Sequence, residues 1–274
     1  MTRVWFITGA GRGFGREWTV AALERGDRVA ATARDPRVLD DLVERFGDEL
    51  LPLRLDVTDR PAVTAAVAAA KDRFDRLDVV VNNAGYGLFG MVEEASEQQV
   101  RDQIDTNLLG TLWVTQAVLP IFRTQGSGHL LNVSSIGGVT AFPTLGIYHA
   151  SKWAVEGFSQ ALAAEVGPFG IHVTLIEPAG YATEWRGASG VHTTPLADYD
   201  SIRRDVAAPL FAAMPRPGAP EATRAAILEL VDMPEPPLRA FLGAGPLAIV
   251  TRDYESRLAL WNELQPLAER AQGN

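Results

Sequence analysis

Tyr148 and Lys152 stand four residues apart in Tyr148-His149-Ala150-Ser151-Lys152, and on a helix that spacing places a phenol and an ammonium on one face. A nearby cation favours phenolate and draws a group that ordinarily titrates near ~10 toward working pH, so such a tyrosine can pass a proton. Alone, the pair is common on helix surfaces. A second chemical feature lies near the start, in Thr8-Gly9-Ala10-Gly11-Arg12-Gly13-Phe14-Gly15. Its glycines permit positive φ and let a ligand approach the backbone. The amides and dipole of a following helix then favour a pyrophosphate. The G-x-G-x-x-G spacing fails, because its last position falls on Phe14, Arg16 or Trp18, and the Gly-Lys-Ser/Thr of a P-loop is missing. The pattern that fits is T-G-x-x-x-G-x-G, in Thr8, Gly9, Gly13 and Gly15.

These residues need elements to hold them. Short apolar or β-branched runs at Val4 to Ile7, Arg28 to Ala33, Leu50 to Leu55, Asp78 to Val81, His129 to Val133 and His172 to Ile176 read as strands. Amphipathic stretches near 14–25, 37–46, 60–74, 97–124 and 148–166 read as helices, with Gly26 and Gly47 as stops. Ser96 with Gln99 forms a capping-box pattern, and Thr58 with Pro61 marks another helix start. Strand and helix in alternation require crossovers and parallel pairing. The expected fold is therefore α/β: a Rossmann-like, doubly wound parallel sheet of about seven strands with helices on both faces. No linker divides the first 180 residues, so residues 1–274 read as one domain. The pattern loosens over 184–220, rich in Gly, Pro and Ala, before a helix at 221–231, a last strand at 239–242 and a last helix at 253–270. A long loop in a compact domain is usually functional or mobile.

Composition narrows the function. At 274 residues and 47% hydrophobic, the chain can bury a large core, and a net charge of −9 disfavours binding to a phosphate backbone. With no cysteine there is neither disulfide nor thiolate metal site. The four histidines, His129, His149, His172 and His192, have no paired-ligand spacing, so no metal is expected. The first apolar run is too short for a signal-peptide core, and no stretch approaches the ~20 apolar residues that span a bilayer. A cytoplasmic location, with neither nucleic acid nor membrane as partner, is the expectation.

The T-G-x-x-x-G-x-G turn, Asn82-Asn83-Ala84-Gly85, the segment Leu131-Asn132-Val133-Ser134-Ser135, Asn107 in Thr106-Asn107-Leu108-Leu109-Gly110 and the Tyr148/Lys152 pair together resemble the short-chain dehydrogenase/reductase family. Ser135 lies thirteen positions before Tyr148, as the family's catalytic serine does. The resemblance implies catalytic roles for Asn107, Ser135, Tyr148 and Lys152. It implies a nicotinamide cofactor held by Gly9, Gly11, Arg12, Gly13, Phe14, Gly15, Arg34, Asp56, Val57, Asn83, Ala84, Gly85, Tyr148, Lys152, Pro178, Gly180, Tyr181 and Thr183. At the end of the second strand, Ala33 occupies the position where NAD enzymes carry an acid that grips the ribose. Arg34 follows it, and Arg12 adds a second cation. Two guanidiniums suit a 2′-phosphate, so the implied cofactor is NADP(H), with NAD(H) second, although Asp35 could offset part of that charge. Asp56 implies a contact with the adenine amino group, although an acid at a strand end is often only a helix cap. Ala179, in Glu177-Pro178-Ala179-Gly180-Tyr181-Ala182-Thr183, departs from the family's glycine and would be strained if φ there were positive. Asn107 and Gly110 within one helix lower its propensity. The family compensates with a kink and a water linking the asparagine to the lysine.

The implied reaction is hydride exchange between NADP(H) and a ketone or aldehyde and its alcohol. Ser135 and Tyr148 bond the substrate oxygen, Tyr148 carries the proton, and Lys152 tunes the phenol and holds the ribose. Trp185, Leu196, Tyr199, Leu210, Phe211 and Met214 punctuate the loop where the family carries its substrate lid. They point either to a hydrophobic small-molecule substrate or to core and subunit contacts. The resemblance also implies a homodimer or homotetramer. A non-catalytic NADP(H)-binding sensor or scaffold is the competing function, though a pure binder has no need of the proton-transfer residues. An epimerase or dehydratase with the same Tyr-Lys pair is a third, less well matched in length and glycine spacing.

Overall fold

The computed structural model describes residues 2–185, 187 and 189–273. In chain order its elements are β1 (Val4–Ile7), α1 (Gly13–Glu24), β2 (Arg28–Ala33), α2 (Asp40–Phe46), β3 (Leu50–Arg54), α3 (Arg60–Phe74), β4 (Val79–Asn82), β5 (Leu88–Phe89), α4 (Glu97–Ile104), α5 (Gly110–Gln125), β6 (Gly128–Val133), α6 (Gly146–Val166), β7 (Ile171–Pro178), β8 (Val191–His192), α7 (Asp200–Ile202), α8 (Ala208–Ala212), α9 (Thr223–Asp232), β9 (Arg239–Leu242) and α10 (Pro246–Ala271). Seven strands form a parallel sheet in the order β3-β2-β1-β4-β6-β7-β9. The chain winds outward from β1 to β3, returns to β4 on the other side of β1, and continues to β9. The boundary between β1 and β4 is therefore the switch point, where such a sheet opens a crevice at its carboxyl edge.

Alternation along β1 explains the two cores. Val4 and Phe6 join Val63, Val67, Val114, Val118 and Phe122 on one face, while Trp5 and Ile7 join Trp18, Leu23 and Ile227 on the other. With helices on both faces the strands have no polar side, which is why they read as unbroken apolar runs. Pro52 is tolerated in β3 because that strand is an edge of the sheet.

Several boundaries differ from expectation for identifiable reasons. The single helix expected over 97–124 is α4 and α5 joined by a π-turn at Asp105–Leu109. The Ser96/Gln99 capping box is present. α3 is capped by Asp59, whose carboxylate accepts from Ala62 N at 3.0 Å, because Thr58 turns back onto Asp56. Gly26 and Gly47 stop their helices at φ +89° and +53°. The last helix begins at Pro246 rather than near 253, since Gly245 at φ +97° turns the chain and proline presets the first helical φ. The parallel pair β5–β8 is two residues long on each side, too short to leave a periodic signal.

Between β8 and α9 the chain holds only short helical pieces. Glu94, with a side chain 1% exposed, fastens this stretch to the body. It accepts from Met91 N at 2.8 Å, Thr193 Oγ1 at 2.9 Å and Leu196 N at 2.8 Å, and pairs with Arg203. Leu258, Leu260, Trp261, Leu264 and Leu267 on α10 are exposed. Among the described residues, no helix is long and apolar enough to cross a membrane.

Candidate active site

A cleft of about 1360 Å³ opens at the carboxyl edge of the sheet. Gly9, Gly11, Arg12, Gly13, Phe14, Arg34, Asp56, Val57, Asn83, Ala84, Gly85, Ser135, Tyr148, Lys152, Pro178, Gly180, Tyr181 and Thr183 all line it. Gly15 and Asn107, the other two expected site residues, lie behind its wall.

The glycine turn is tied to the end of β4 by a compact knot. Thr8 Oγ1 accepts from Asn83 N at 2.9 Å and Ala84 N at 3.0 Å, while Asn83 Nδ2 donates to Thr8 O at 2.9 Å and Gly9 O at 3.1 Å. Gly9 has φ +66°, and a Cβ there would meet Ala84 Cα at 3.0 Å. A Cβ on Gly15 would stand 2.4 Å from Gly9 O and 2.5 Å from Asn83 Nδ2. Gly15 thus lets α1 press onto the turn and aim its amides at the cleft, without meeting a ligand itself. Asn83 is largely committed to holding the turn. Across the cleft, Gly13 faces Thr183, whose Cγ2 would lie 3.6 Å from a Cβ at position 13.

Charge is unevenly placed beyond the turn. Among the described residues neither Arg12 nor Arg34 enters an ion pair, whereas Arg16 pairs with Asp41 and Arg37 with Asp35. Asp35 therefore offsets Arg37 rather than Arg34. It caps the turn at Pro36–Leu39, and hydrogen bonds from Arg37 hold its carboxyl below the usual range. Arg12 and Arg34 both face the cleft and are exposed. Asp56 Oδ1 accepts from Thr58 N at 3.0 Å and Thr58 Oγ1 at 2.8 Å, which fixes the carboxylate at the rim. Ala179 carries no strain: among the described residues, Asp75 and Thr144 are the non-glycine ones with positive φ. Its N–H donates to Leu242 O at 2.9 Å, so the path into Gly180 continues the sheet, and alanine is accepted there. Tyr181 packs edge-on against Phe14, with centroids 4.9 Å apart.

At the other end of the cleft, Ser135 ends the β6 turn and its Oγ accepts from Gly137 N at 3.0 Å. The serine is thus a cap, as its position after a strand allows, and its hydroxyl is left to donate toward Tyr148. Tyr148 and Lys152 share the buried face of α6, with Nζ 6.0 Å from the centre of the phenol ring. Lys152 Nζ donates to Val133 O at 2.7 Å. The expected lowering of the phenol by Lys152 does not prevail. Burial pushes Tyr148 up to about 12, and hydrogen bonding to Ser135 reverses only part of that. Burial likewise brings Lys152 down to about 8, against the pull of Glu156. In this state the tyrosine is a protonated acid beside an ammonium of reduced basicity.

Asn107 sits in the π-turn and is fully buried. Its amide grips Tyr86, accepting from N at 3.1 Å and donating to O at 3.0 Å, and reaches Ser151 Oγ at 3.1 Å. A Cβ on Gly85 would stand 3.0 Å from Asn107 Oδ1 and 3.8 Å from Lys152 Nζ, so glycine there leaves open the space between the two polar groups. Asn107 thereby fixes the chain that runs from β4 toward the substrate end.

An aromatic group at the mouth was only partly legible in the sequence. Trp185 packs on Tyr148 at 5.0 Å and on Phe89 at 4.8 Å, and Phe89 stacks on His192 at 5.0 Å. Gly87 makes room, since a Cβ there would meet Trp185 Cζ2 at 2.7 Å. Phe89 and His192 meet through the β5–β8 pair. His149, buried next to Tyr148, is pushed down to about 4 by its surroundings and accepts from Phe142 N through Nδ1 at 3.3 Å. Among the described residues, no group of three or more His, Asp or Glu side chains is placed to hold a metal ion.

The fold and this geometry have clear counterparts. The family model for short chain dehydrogenase matches residues 3–192. The oxidoreductase BOA17 of Botryotinia fuckeliana is 43% identical over 96% of this chain and 98% of its own. The 3-ketodihydrosphingosine reductase of Bacteroides thetaiotaomicron is 38% identical over 86% of each. Among solved structures, a short-chain dehydrogenase from Streptomyces avermitilis superposes with a TM-score of 0.91 at 35% identity, covering 98% of both chains. At 27% identity, a 3-ketoacyl-(acyl-carrier-protein) reductase from Brucella melitensis complexed with NADH has a TM-score of 0.76 over 89% of this chain and 98% of its own. A Burkholderia cenocepacia short chain dehydrogenase in complex with NADP, also 27% identical, scores 0.74 over 96% and 97%. The chain belongs to the short-chain dehydrogenase family. It is accordingly an oxidoreductase, of the type that acts on CH–OH and C=O groups.

Proposed function

We propose that the protein is an NADP(H)-dependent reductase of a hydrophobic ketone or aldehyde, with alcohol oxidation as the reverse reaction. The observation that carries this reading is the meeting, in one cleft, of a glycine-opened turn flanked by Arg12 and Arg34, neither of which enters an ion pair among the described residues, with Ser135, Tyr148 and Lys152. The residues fit a dinucleotide. Gly9 and Gly13 line the place for a pyrophosphate at the start of α1, Gly15 lets that helix close on the turn from behind, and Asp56 and Val57 face the adenine end. Arg12 and Arg34 suit a 2′-phosphate, with Ala33 leaving space where an acid would repel it. Asn83, Ala84, Gly85, Pro178, Gly180, Tyr181 and Thr183 line the way to the nicotinamide end. The relatives solved with NADH and with NADP support a nicotinamide cofactor, and the arginine pair favours the phosphorylated one.

When bound, the reduced nicotinamide supplies a hydride to the carbonyl carbon. As negative charge grows on the carbonyl oxygen, the hydroxyls of Ser135 and Tyr148 donate hydrogen bonds to it. Tyr148 then gives up its proton, completing the alcohol. Lys152, charged and about one helical turn away, stabilises the phenolate left behind and is placed to hold the nicotinamide ribose. Asn107 supports this by fixing Tyr86 and the open space at Gly85. The segment over 184–220 serves as the substrate lid, with Trp185, Phe211 and Met214 on the cleft wall. An apolar mouth favours a substrate with hydrophobic bulk, and the name of the 3-ketodihydrosphingosine reductase relative supports a ketone.

The test is NADPH oxidation across a panel of cyclic, aryl and long-chain ketones. Carbonyl-dependent loss of NADPH absorbance is expected for the hydrophobic members, with a higher specificity constant for NADPH than for NADH. No turnover on any member would leave the protein a nucleotide binder, and preference for NADH would overturn the role of the arginines.

A further inference from the structure

Beneath the Tyr148–Lys152 pair, α6 and β7 bring two carboxyl groups together in the interior. Glu156 follows Lys152 by one helical turn, Glu177 is next to last in β7, and their side chains are 6% and 1% exposed. Both reach one cation, Arg239 at the start of β9. Its Nε donates to Glu156 Oε2 at 3.0 Å and lies 3.5 Å from Glu177 Oε1, while its Nη2 donates to Gln160 Oε1 at 2.8 Å. Ser134 closes the cluster. A Cβ on Gly138 would stand 2.4 Å from Ser134 Oγ and 3.2 Å from Glu156 Oε1, so the two oxygens share the notch above that glycine.

Two carboxylates offer each other only acceptors. Ser134 Oγ, Glu156 Oε1 and Glu177 Oε1 are buried without hydrogen-bond partners among the described residues. Two buried anions against one half-exposed guanidinium also leave charge uncompensated. One proton resolves both problems, because a protonated Glu177 donates to Glu156 and leaves a single anion between Arg239 and Lys152. Burial is the leading cause raising both acids, and the charge of Glu156 adds to it at Glu177.

We propose that Glu156 and Glu177 hold one proton between them, carried on Glu177, and that the remaining carboxylate of Glu156 sustains the positive charge on Lys152. Glu156 is then a positioning residue, acting on the reaction through the lysine. The ionisable groups around it are Lys152 and the buried phenol of Tyr148 on α6, Glu177 on β7 and Arg239 on β9. The consequence for turnover rests on the reductase reading above, whereas the shared proton and the charge of Lys152 do not.

The chain has two lysines, Lys71 and Lys152, so lysine labelled with carbon-13 at Cε yields two NMR titrations. Glu156→Gln is expected to lower the Lys152 midpoint by roughly one pH unit. Glu177→Gln, whose amide replaces the acid's donor, is expected to leave that midpoint where it is. An unmoved midpoint in Glu156→Gln, or an equal shift in both variants, overturns the proposal. Infrared spectra of the unaltered protein and of Glu177→Gln keep the test open if Glu156→Gln does not fold. A protonated-carboxyl band at neutral pH, sensitive to carbon-13 glutamate and missing in Glu177→Gln, is expected, and its absence from the unaltered protein refutes the shared proton. In the reduction assay, the alkaline limb of kcat/KM should follow Lys152 downward in Glu156→Gln. Failure of the reductase reading would instead show as no turnover while the lysine titrations stay as expected.

Discussion

The two ends of the cleft are built by different means. At the glycine turn, short polar side chains grip the main chain: Thr8 Oγ1 accepts from the amides of Asn83 and Ala84, Asn83 Nδ2 donates to the Thr8 carbonyl, and Gly9 and Gly15 are packed so tightly that a single methyl group would press on main-chain atoms. At the mouth, side chains meet side chains. Trp185 meets Phe89 edge to face and Phe89 stacks on His192, while Glu94 ties down Thr193, Leu196 and Arg203. A knot of fixed main-chain groups and the two side chains that match them tolerates almost no substitution, whereas an aromatic cluster can be rebuilt from other rings. The difference assigns constancy to the cofactor end and variability to the substrate end, with Ser135, Tyr148 and Lys152 between them.

That contrast can be broken at several points, beginning with the residue both ends serve. Tyr148→Phe should lower kcat by about 10²–10⁴-fold while fluorescence titration finds NADPH binding unchanged. Turnover within a few-fold of the parent would remove Tyr148 from the chemistry. Next, Gly15→Ala should destabilise the fold by about 1–3 kcal/mol, because the new methyl meets the Gly9 carbonyl, which is fixed main chain, as well as the Asn83 amide. Its melting temperature and its NADPH affinity should fall together, and an unchanged melt would show that the knot can yield. Arg34→Ala should raise the KM for NADPH by about tenfold, the size of one charge-assisted hydrogen bond, and leave that for NADH unaltered. Equal effects on both cofactors would mean that the guanidinium does not read the phosphate. The smallest effect belongs to the mouth. Trp185→Ala should change the KM for bulky ketones by about two- to tenfold, in keeping with one aromatic contact, without touching NADPH affinity. A change in cofactor affinity instead would erase the division between the two ends.

How far each feature could be read in advance follows from how local its cause is. The seven strands, the helices between them and the stops at Gly26 and Gly47 rest on runs of a few residues, and they lie within a few positions of where those runs put them. The break around Asn107 was expected as a kink through the family resemblance, but its form as a π-turn was not, since an extra residue in a turn has no side-chain signature. The cap of α3 went to Asp59 because Thr58 had a nearer partner in Asp56, a choice between neighbours that spacing does not decide. Asp35 looked like a neutraliser of Arg34, but its carboxylate caps the following turn and so meets Arg37 first. The strain anticipated at Ala179 does not arise, because β9 pairs with the end of β7 and keeps that backbone extended.

By itself, the sequence determined the alternation that makes the sheet, the glycine spacing that frees the backbone, and the four-residue interval that aligns Tyr148 with Lys152. Each depends on neighbours along the chain, through the helical and strand periods. The tertiary structure alone decided which charges stay unpaired and which groups lose their water. Burial, not Lys152, has the larger hold on Tyr148, and Glu156 meets Glu177 only where α6 packs on β7. Desolvation and pairing depend on what the whole fold brings to one point, and adjacent residues carry no record of it.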